Sequence, residues 1–394
     1  MRILAIADFF YPCVVGGSAI MAYELMREMV ERGHEVTVLT RAGEDMRDRV
    51  DGMDMLYYRF AASPTRYPLS VLRAVQALRQ LNDRRFDLVN MHHASGGIAA
   101  EIYKKLSGGP PTVFFFQGPW HGEAIAKEAW QSRNGSRLPA KYAVRKSIDR
   151  AILRNCDALF CLSDYMYGEA SAIFPHLAAK YHKLSGGVNV ERFAPVVDRA
   201  TARRELALDA ESIVLLTVRR LDPRMGLENL VRAMAIVGAM RTDVVLLIGG
   251  KGQLHGRLRE LIAGLNLENV RLLGYIDDEV LPVYYQASNL FVMPTETMEG
   301  YGLSTLEALA CGLPVLGTDV GATPEILSDL LPDFIASGTE PQVLAENILR
   351  CLPLLRGVDG RRLRRFAEAR SWARVADRVE AVFEQVAKGW GPAA

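Results

Sequence analysis

The sequence from Leu290 to Pro314 constrains the fold of this chain more than any other stretch. Leu290–Met293 is a short apolar run typical of a buried strand. Gly300 and Gly302 then predict a turn in which the backbone approaches another group closely. A helical segment follows, which Gly312 ends and Pro314 stops from continuing. Strand, turn and helix in this order indicate a unit of an α/β fold.

Two carboxylates frame this turn and helix. Glu299 precedes the helix, and Glu307 lies about one turn inside it. Ser304 or Thr305 is predicted to cap or open the helix, whose free N–H groups then point into the loop. A helix N-terminus binds phosphate, and a carboxylate accepts hydrogen bonds from sugar or ribose hydroxyls. The pattern favours a ligand with hydroxyls at both ends and a pyrophosphate between them, over two solvated glutamates.

Two glutamates separated by seven residues and followed by Ala-Leu-Ala-Cys-Gly-Leu-Pro-Val resemble the signature of retaining glycosyltransferases of family 4. The resemblance extends over nearly the whole chain. It implies the GT-B fold, in which two Rossmann-like β/α/β domains face a central cleft and a C-terminal helix crosses back to the N-terminal domain. It also implies a nucleotide-sugar donor and no metal.

Composition limits the other classes of protein to consider. The 394 residues suit two domains, and a formal net charge of +1 gives no reason to expect nucleic-acid binding. Five scattered cysteines without metal spacing indicate reduced thiols. No signal peptide or long apolar segment is recognisable, so we expect a cytoplasmic protein without a transmembrane helix. Basic residues recurring between Arg137 and Arg154 leave peripheral contact with the inner face of a membrane open.

The chain divides into two series of strand and helix patterns. Residues 2–7, a Gly16-Gly17 loop, a helix from Ser18 and a strand at 35–40 form a first β-α-β unit. The Gly17 loop is either a phosphate loop or a plain turn. The resemblance implies an acceptor-binding domain over 1–195, a donor-binding domain over 196–374, and a crossover helix at about 375–394.

Polar residues follow two strands of the first half. His92 and His93 end the strand pattern at 86–93, and Gln117 and His121 follow the strand at 112–116. The family often has histidine beside the donor sugar where this chain has Gln117, and glutamine hydrogen-bonds a hydroxyl but carries no proton near neutral pH. His121 is a candidate substitute. His92 and His93 are either structural or acceptor-side residues.

The loop after the strand at 213–218 carries the arginines of the second half. The family places an arginine here, and a lysine just before the following glycine, at the donor pyrophosphate. Arg220 matches that arginine, whereas the lysine position is Met225. A cation beside the phosphates stabilises the leaving group, so Arg224 is a candidate to replace the lysine. Arg219 and Arg224 are otherwise interpreted as surface charge.

The resemblance assigns further roles to residues of the donor half. Glu307 would hold the ribose hydroxyls, and Glu299 would hold hydroxyls of the donor sugar. Tyr275 lies in the segment that holds the nucleotide base through backbone groups. The diphosphate and sugar would also be bound by Arg220, by the Gly17 loop and by the N–H groups of Gly300, Tyr301, Gly302, Leu303 and Ser304.

The resemblance, together with these residues, implies a hexosyltransferase that retains anomeric configuration and needs no metal or other cofactor. Its co-substrate would be a UDP- or GDP-sugar, and its acceptor a small molecule, a glycan or a lipid-linked hydroxyl. It would serve glycan, glycolipid or natural-product glycoside biosynthesis. The alternatives are a nucleotide-sugar 2-epimerase and a non-catalytic, donor-binding partner of another transferase. The sequence leaves the sugar, the nucleotide, the acceptor and the oligomeric state open.

Overall fold

The computed structural model describes residues 1–11, 16–44, 46–60, 67–81, 85–122 and 140–390. The chain forms two compact units. Within the described residues, unit 1 comprises the chain up to Ser185 together with the helix that begins at Trp372, and unit 2 comprises Gly186–Ser371. The predicted division at Pro195 falls just inside unit 2. Residues 12–15, directly before the Gly16-Gly17 loop, lie outside the described residues.

Unit 1 contains a mixed sheet with helices between its strands. Its described strands are β1 (Arg2–Ala7), β2 (Glu35–Ala42), β3 (Met46–Val50), β4 (Met53–Arg59), β5 (Leu88–Met91), β6 (Thr112–Phe116), β7 (Ala158–Cys161) and β8 (Tyr181–Lys183). Its helices before the crossing into unit 2 are α1 (Gly17–Glu31), α2 (Tyr67–Arg79), α3 (Ala94–Ser107), α4 (Ala140–Asn155) and α5 (Asp164–Ile173).

Strand order in unit 1 is that of a Rossmann-like sheet. Over the described residues the eight strands lie in the order β3-β4-β2-β1-β5-β6-β7-β8, and all pairs are parallel except β3 with β4. The order reverses between β1 and β5, whose carboxyl ends lie side by side because Ile6 pairs with Met91. Such a switch point is where open α/β sheets bind ligands.

Unit 2 repeats the arrangement with a fully parallel sheet. Its described strands are β9 (Ile213–Val218), β10 (Val244–Gly249), β11 (Val270–Gly274), β12 (Leu290–Met293), β13 (Val315–Thr318) and β14 (Ile335–Ala336). They lie in the order β11-β10-β9-β12-β13-β14, with a switch point between β9 and β12. The helices that follow in the chain are α6 (Arg199–Glu205), α7 (Leu227–Met240), α8 (His255–Gly264), α9 (Leu281–Ala287), α10 (Leu303–Ala310), α11 (Thr323–Leu327), α12 (Pro341–Cys351), α13 (Gly360–Glu368) and α14 (Trp372–Lys388).

The central strands of both sheets are buried on both faces. Phe115 and Phe116 of β6 and Phe291 of β12 are fully buried, in agreement with their continuous apolar runs. The edge strand β3 is exposed at four of its five residues, and its sequence Met-Arg-Asp-Arg-Val has no apolar alternation. That composition explains why the sequence did not predict this strand.

The C-terminal helix α14 is fixed to unit 1 by charged groups. Arg32, at the end of α1, donates from Nη1 to Glu380 Oε2 over 2.7 Å and from Nη2 to Asp377 Oδ1 over 2.7 Å. His34 Nε2 lies 2.7 Å from Glu380 Oε1. The chain therefore returns to unit 1 after completing unit 2, as the GT-B prediction requires. Within the described ranges, no helix combines the length and the apolar character needed to cross a bilayer.

Candidate active site

The switch point of unit 2 brings together the two loops that carry the predicted donor-binding residues. The loop after β9 begins at Arg219, and the loop after β12 begins at Pro294. The two strands are neighbours, with Phe291 paired to Leu216. Side chains of both loops therefore meet at the carboxyl edge of the sheet.

An ion pair between Arg219 and Glu299 joins these two loops. Arg219 Nη2 donates to Glu299 Oε2 over 2.8 Å, and the side chains are only 6% and 12% exposed. Thr295 donates its hydroxyl to the same carboxylate oxygen over 2.9 Å and accepts a hydrogen bond from Arg219 Nη1 over 2.9 Å. Burial lowers the pKa of Arg219, and the Glu299 carboxylate opposes that change. Glu299 is thus held in one orientation by a buried cation.

Arg219 is the site residue that sequence reasoning missed. Val218 ends β9, and of the two arginines that follow, Arg219 has a buried side chain and Arg220 is exposed. The described residues give the Arg220 guanidinium no partner. The surface interpretation of Arg219 was wrong, because its guanidinium lies against Glu299. The diphosphate role of Arg220 stays a prediction.

The loop between β12 and α10 is held from both sides. Arg224 Nη1 donates to the carbonyl oxygen of Met298 over 2.6 Å, and the Arg224 carbonyl accepts from Glu296 N over 2.9 Å. Met298 has φ near 60°, a strained conformation for a residue with a side chain. On the other side, Ala322 N donates to the Glu299 carbonyl over 2.9 Å. Arg224 therefore supports the backbone next to Glu299.

Met225, at the family's lysine position, is a buried residue. It is 6% exposed and lies at the end of a short 3-10 turn, Pro223–Met225. Gly226 follows with φ 72°, and a Cβ there would lie 1.7 Å from the Pro294 carbonyl oxygen. The β9 loop and the β12 loop therefore pack backbone against backbone at this point.

Helix α10 directs its N-terminus toward the loop that carries Glu299. The helix begins after Gly302, which has φ 77°, and no side chain caps it. Of the two alternatives for Ser304 and Thr305, capping was wrong, since the Ser304 hydroxyl lies 3.5 Å from Met293 Sδ, whereas both residues do lie in the first turn of the helix. The first N–H groups of an α-helix have no carbonyl partner one turn earlier in the helix. Thr305 N donates to the Gly302 carbonyl over 2.9 Å, which leaves the N–H groups of Leu303 and Ser304 to face an anion.

Glu307 is held by a tyrosine from a neighbouring helix. Tyr285 of α9 is fully buried and donates its hydroxyl to Glu307 Oε2 over 2.7 Å. Burial raises the pKa of Glu307, and the Tyr285 hydrogen bond opposes the rise. The two signature glutamates are therefore each fixed by a buried partner, on either side of the α10 N-terminus.

The Tyr301 ring packs against Gly186. Tyr301 is 8% exposed. A Cβ at position 186 would lie 2.5 Å from Tyr301 Cδ1 and 2.7 Å from Leu303 Cδ2. The position of this ring thus leaves no room for a side chain at residue 186.

Gly186→Ala is expected to lower the free energy of unfolding by about 1–3 kcal/mol, because the Tyr301 ring has to move. Thermal unfolding measures the loss. Gly168→Ala is the matched control, since nothing lies within 4 Å of its added Cβ. Combining Gly186→Ala with Tyr301→Ala should cost less than the sum of the two changes; strict additivity would contradict the contact.

Tyr275 lies at the carboxyl edge of the unit 2 sheet, directly after β11. It is 55% exposed, and the Lys251 ammonium group lies 4.7 Å from its ring centroid. Lys251 belongs to the loop after β10, which joins the β9 loop through a 2.9 Å hydrogen bond from Leu221 N to its carbonyl. The base-binding segment and the arginine loop are thereby connected.

The switch point of unit 1 holds a second polar group. Gly17 is the first residue of α1, and the next residue, Ser18, has its Oγ 3.1 Å from His93 Nε2. His93 Nδ1 accepts from Asp8 N over 3.1 Å. Ser95 donates its hydroxyl to the buried Asp8 carboxylate. The Gly17 loop and His93 are therefore neighbours at the edge of the unit 1 sheet.

Gln117 lies beside His92, which belongs to the core. Gln117 Nε2 is 3.5 Å from His92 Nδ1. His92 is 1% exposed and stacks on Phe115, with ring centroids 4.7 Å apart. Burial lowers the pKa of His92 to about 3, with a smaller contribution from His93. The side chain is a neutral support for Gln117, which agrees with the structural alternative for this histidine.

His121, which also follows β6, lies beside an acidic side chain. Its Nδ1 lies 3.1 Å from Asp149 Oδ2 on α4. Among the described residues, no group of three histidine, cysteine or acidic side chains is arranged to hold a metal ion.

Family models match both halves of the chain. The model described as Glycosyltransferase Family 4 matches residues 15–192, and the model described as Glycosyl transferases group 1 matches residues 198–354.

Relatives with assigned activities are similar over much of the chain. A GDP-mannose-dependent monoacylated alpha-(1-6)-phosphatidylinositol monomannoside mannosyltransferase from Corynebacterium glutamicum is 30% identical over 60% of this chain and 64% of its own length, slightly less than two thirds. A D-inositol 3-phosphate glycosyltransferase from Salinispora arenicola is 27% identical over 96% of this chain and 89% of its own.

Solved structures share the fold. Sucrose-phosphate synthase from Thermosynechococcus elongatus superposes with a TM-score of 0.82 at 22% identity, covering 99% of this chain and 100% of its own. Anabaena HepE in complex with UDP-glucose gives 0.76 at 17% identity, covering 98% and 100%. The chain belongs to the glycosyltransferases of family 4, with the GT-B fold.

Proposed function

We propose that the protein transfers a hexosyl unit from a nucleoside diphosphate sugar to an acceptor hydroxyl with retention of anomeric configuration. One observation carries the proposal: Glu299 and Glu307 are fixed by Arg219 and Tyr285 on either side of the α10 N-terminus. A carboxylate before and a carboxylate after a helix N-terminus suit a ligand with hydroxyls at both ends and negative charge between them.

Each part of the donor is assigned to one group in unit 2. Glu307 accepts hydrogen bonds from the ribose hydroxyls, and Glu299 from hydroxyls of the sugar. The N–H groups of Leu303 and Ser304, together with Arg220, bind the diphosphate. The base lies against the segment at Tyr275. In unit 1, Gln117 is assigned to a hydroxyl of a ligand, and the acceptor is bound by this unit.

In the reaction the bond between the anomeric carbon and the diphosphate oxygen breaks, and its electron pair stays on the diphosphate. The acceptor oxygen bonds to the anomeric carbon from the same face, and its proton passes to the departing phosphate. Negative charge on the leaving group grows as the bond breaks. The α10 N-terminus and Arg220 therefore stabilise the transition state more than the bound donor.

The experiment measures turnover with UDP-glucose, UDP-galactose, UDP-N-acetylglucosamine and GDP-mannose. Relatives bear the names of GDP-mannose-dependent and inositol 3-phosphate enzymes, so the acceptors are myo-inositol, D-inositol 3-phosphate and vesicles containing phosphatidylinositol. Proton NMR of the product gives the anomeric configuration. Transfer with retention is expected from at least one pair. Conversion of a donor without acceptor into its epimer would contradict transferase activity, and inversion would contradict the mechanism.

We expect transfer to continue at an unchanged rate in excess EDTA, because helix N–H groups and an arginine are proposed to stabilise the diphosphate. The rate is measured before and after addition of EDTA, and again after addition of Mg²⁺ or Mn²⁺. A rate that falls with EDTA and returns with either ion would overturn the metal-independent reaction.

A further inference from the structure

We propose that His121, oriented by Asp149, accepts a hydrogen bond through its Nε2 atom from a hydroxyl of the acceptor other than the attacking one. The inference rests on the proposed function, because it assigns the acceptor site of that transferase. It concerns a pair of side chains that lie far apart in the sequence, on the loop after β6 and on α4.

Asp149 determines how the imidazole is oriented. The Asp149 side chain is 1% exposed, and its Oδ2 lies 3.1 Å from His121 Nδ1. An ionised carboxylate only accepts hydrogen bonds, so Nδ1 of the neutral ring must carry the proton. Nε2 is then a bare acceptor. A hydroxyl is a donor that it can bind, whereas the tautomer excludes N–H donation to a phosphate oxygen.

His121 Nε2 is available for such a contact. The described residues give this atom no partner, and the His121 side chain is 17% exposed. The ring therefore reaches the surface while its other nitrogen is anchored in the interior. A buried carboxylate that fixes a partly exposed imidazole is the arrangement by which proteins present one histidine nitrogen to a substrate.

The surroundings of the pair support a binding surface rather than a loose loop. Trp120 lies beside Tyr67, with ring centroids 5.3 Å apart, and the Arg145 guanidinium lies 4.9 Å from the Trp120 ring centroid. Tyr67 donates its hydroxyl to the Ser95 carbonyl over 2.9 Å. Trp120, the residue before His121, is therefore packed against side chains of α2 and α4.

Burial raises the pKa of Asp149, and the hydrogen bond with the His121 side chain and those from the backbone N–H groups of His121 and Trp120 oppose the rise. The second carboxylate oxygen, Oδ1, is buried and has no hydrogen-bond partner among the described residues. The His121 imidazole is thus the side-chain partner of Asp149. A substitution that keeps the pair but changes which atom donates is consequently the most informative one.

Asp149→Asn is that substitution. The asparagine amide can donate to Nδ1, which moves the imidazole proton to Nε2 and removes the acceptor function while the two side chains stay together. We expect kcat/KM for the acceptor to fall about 10- to 100-fold in Asp149→Asn and in His121→Ala, equivalent to losing a hydrogen bond of about 1.4–2.8 kcal/mol. The dissociation constant of the donor should stay within about twofold. His176→Ala, on an exposed histidine of the same unit, is the control.

The tautomer is measured independently of turnover. In ¹⁵N-edited NMR of the full chain, His121 should be protonated at Nδ1 at neutral pH, and Asp149→Asn should shift the proton to Nε2. Titration with myo-inositol should move the Nε2 resonance in the native protein and not in Asp149→Asn. A native Nε2–H tautomer, or normal acceptor kinetics in both variants, would overturn the assignment. Failure of the native protein to transfer any sugar would instead overturn the proposed function.

Discussion

Arg219→Ala is expected to lower the free energy of unfolding by about 3–5 kcal/mol, the effect of removing one partner from a buried ion pair. Glu299 would lose its cation while 12% exposed, and Thr295 would lose a hydrogen-bond donor. Because Glu299 is proposed to bind the donor sugar, turnover should fall as well. Equilibrium unfolding in urea gives the first quantity, and transfer from the active donor gives the second.

The neighbouring Arg220 provides the matched control. It has the same side chain one residue later but is exposed. Arg220→Ala should change the unfolding free energy by no more than about 0.5 kcal/mol. Its proposed place at the diphosphate predicts a fall in kcat of about 10²–10³, the effect of losing one preorganised donor. Native stability in Arg219→Ala would contradict the ion pair, and native turnover in Arg220→Ala would remove that residue from the site.

Gly226→Ala is the second change with a large expected effect. The new Cβ would lie 1.7 Å from the carbonyl oxygen of Pro294, and φ at this position is 72°. The close contact is with the backbone of Pro294 and not with a flexible side chain, so the β9 and β12 loops must separate. We expect a loss of about 3 kcal/mol or more in unfolding free energy, from overpacking together with backbone strain.

Gly256→Ala tests whether that loss is specific. Gly256 lies in α8, and nothing is within 4 Å of the Cβ it would gain. Alanine there should be neutral or stabilise the chain by up to about 1 kcal/mol, because alanine favours the helix. Both proteins are compared in the same urea titration. Equal stability of the two variants would mean that the loops do not pack as described.

The sequence predicted the parts of the fold whose signals are local. The apolar run of β12, the glycines of the following turn and the Gly312 end of α10 lie close together in the chain, and each was identified correctly. The cap of α10 was not, because a glycine with positive φ begins the helix where serine and threonine were available. Local propensity cannot tell which of several nearby residues the tertiary structure uses.

The site residues that the sequence did not reveal depend on contacts between distant parts of the chain. Arg219 and Arg220 are identical in type, and only the structure shows that Arg219 meets a residue eighty positions later. The partner of Glu307, Tyr285, belongs to another helix and carries no sequence signal of its own. Asp149 also carries no sequence signal, because it is one acidic residue in a basic helix. Its role depends on His121, which lies beside it in the structure.

The most direct test of the donor site is calorimetric titration of the native protein, Glu307→Gln and Tyr285→Phe with UDP and GDP. Glutamine can still accept from Tyr285, so the fold is kept while the charge that binds ribose is lost. The account predicts tight binding of one nucleotide by the native protein, and a loss of about 1–3 kcal/mol in Glu307→Gln. Tyr285→Phe should lose less, because the carboxylate remains but is no longer oriented. Glu260→Gln, an exposed carboxylate on α8, should bind like the native protein. Unchanged affinity in Glu307→Gln would contradict the donor site described above.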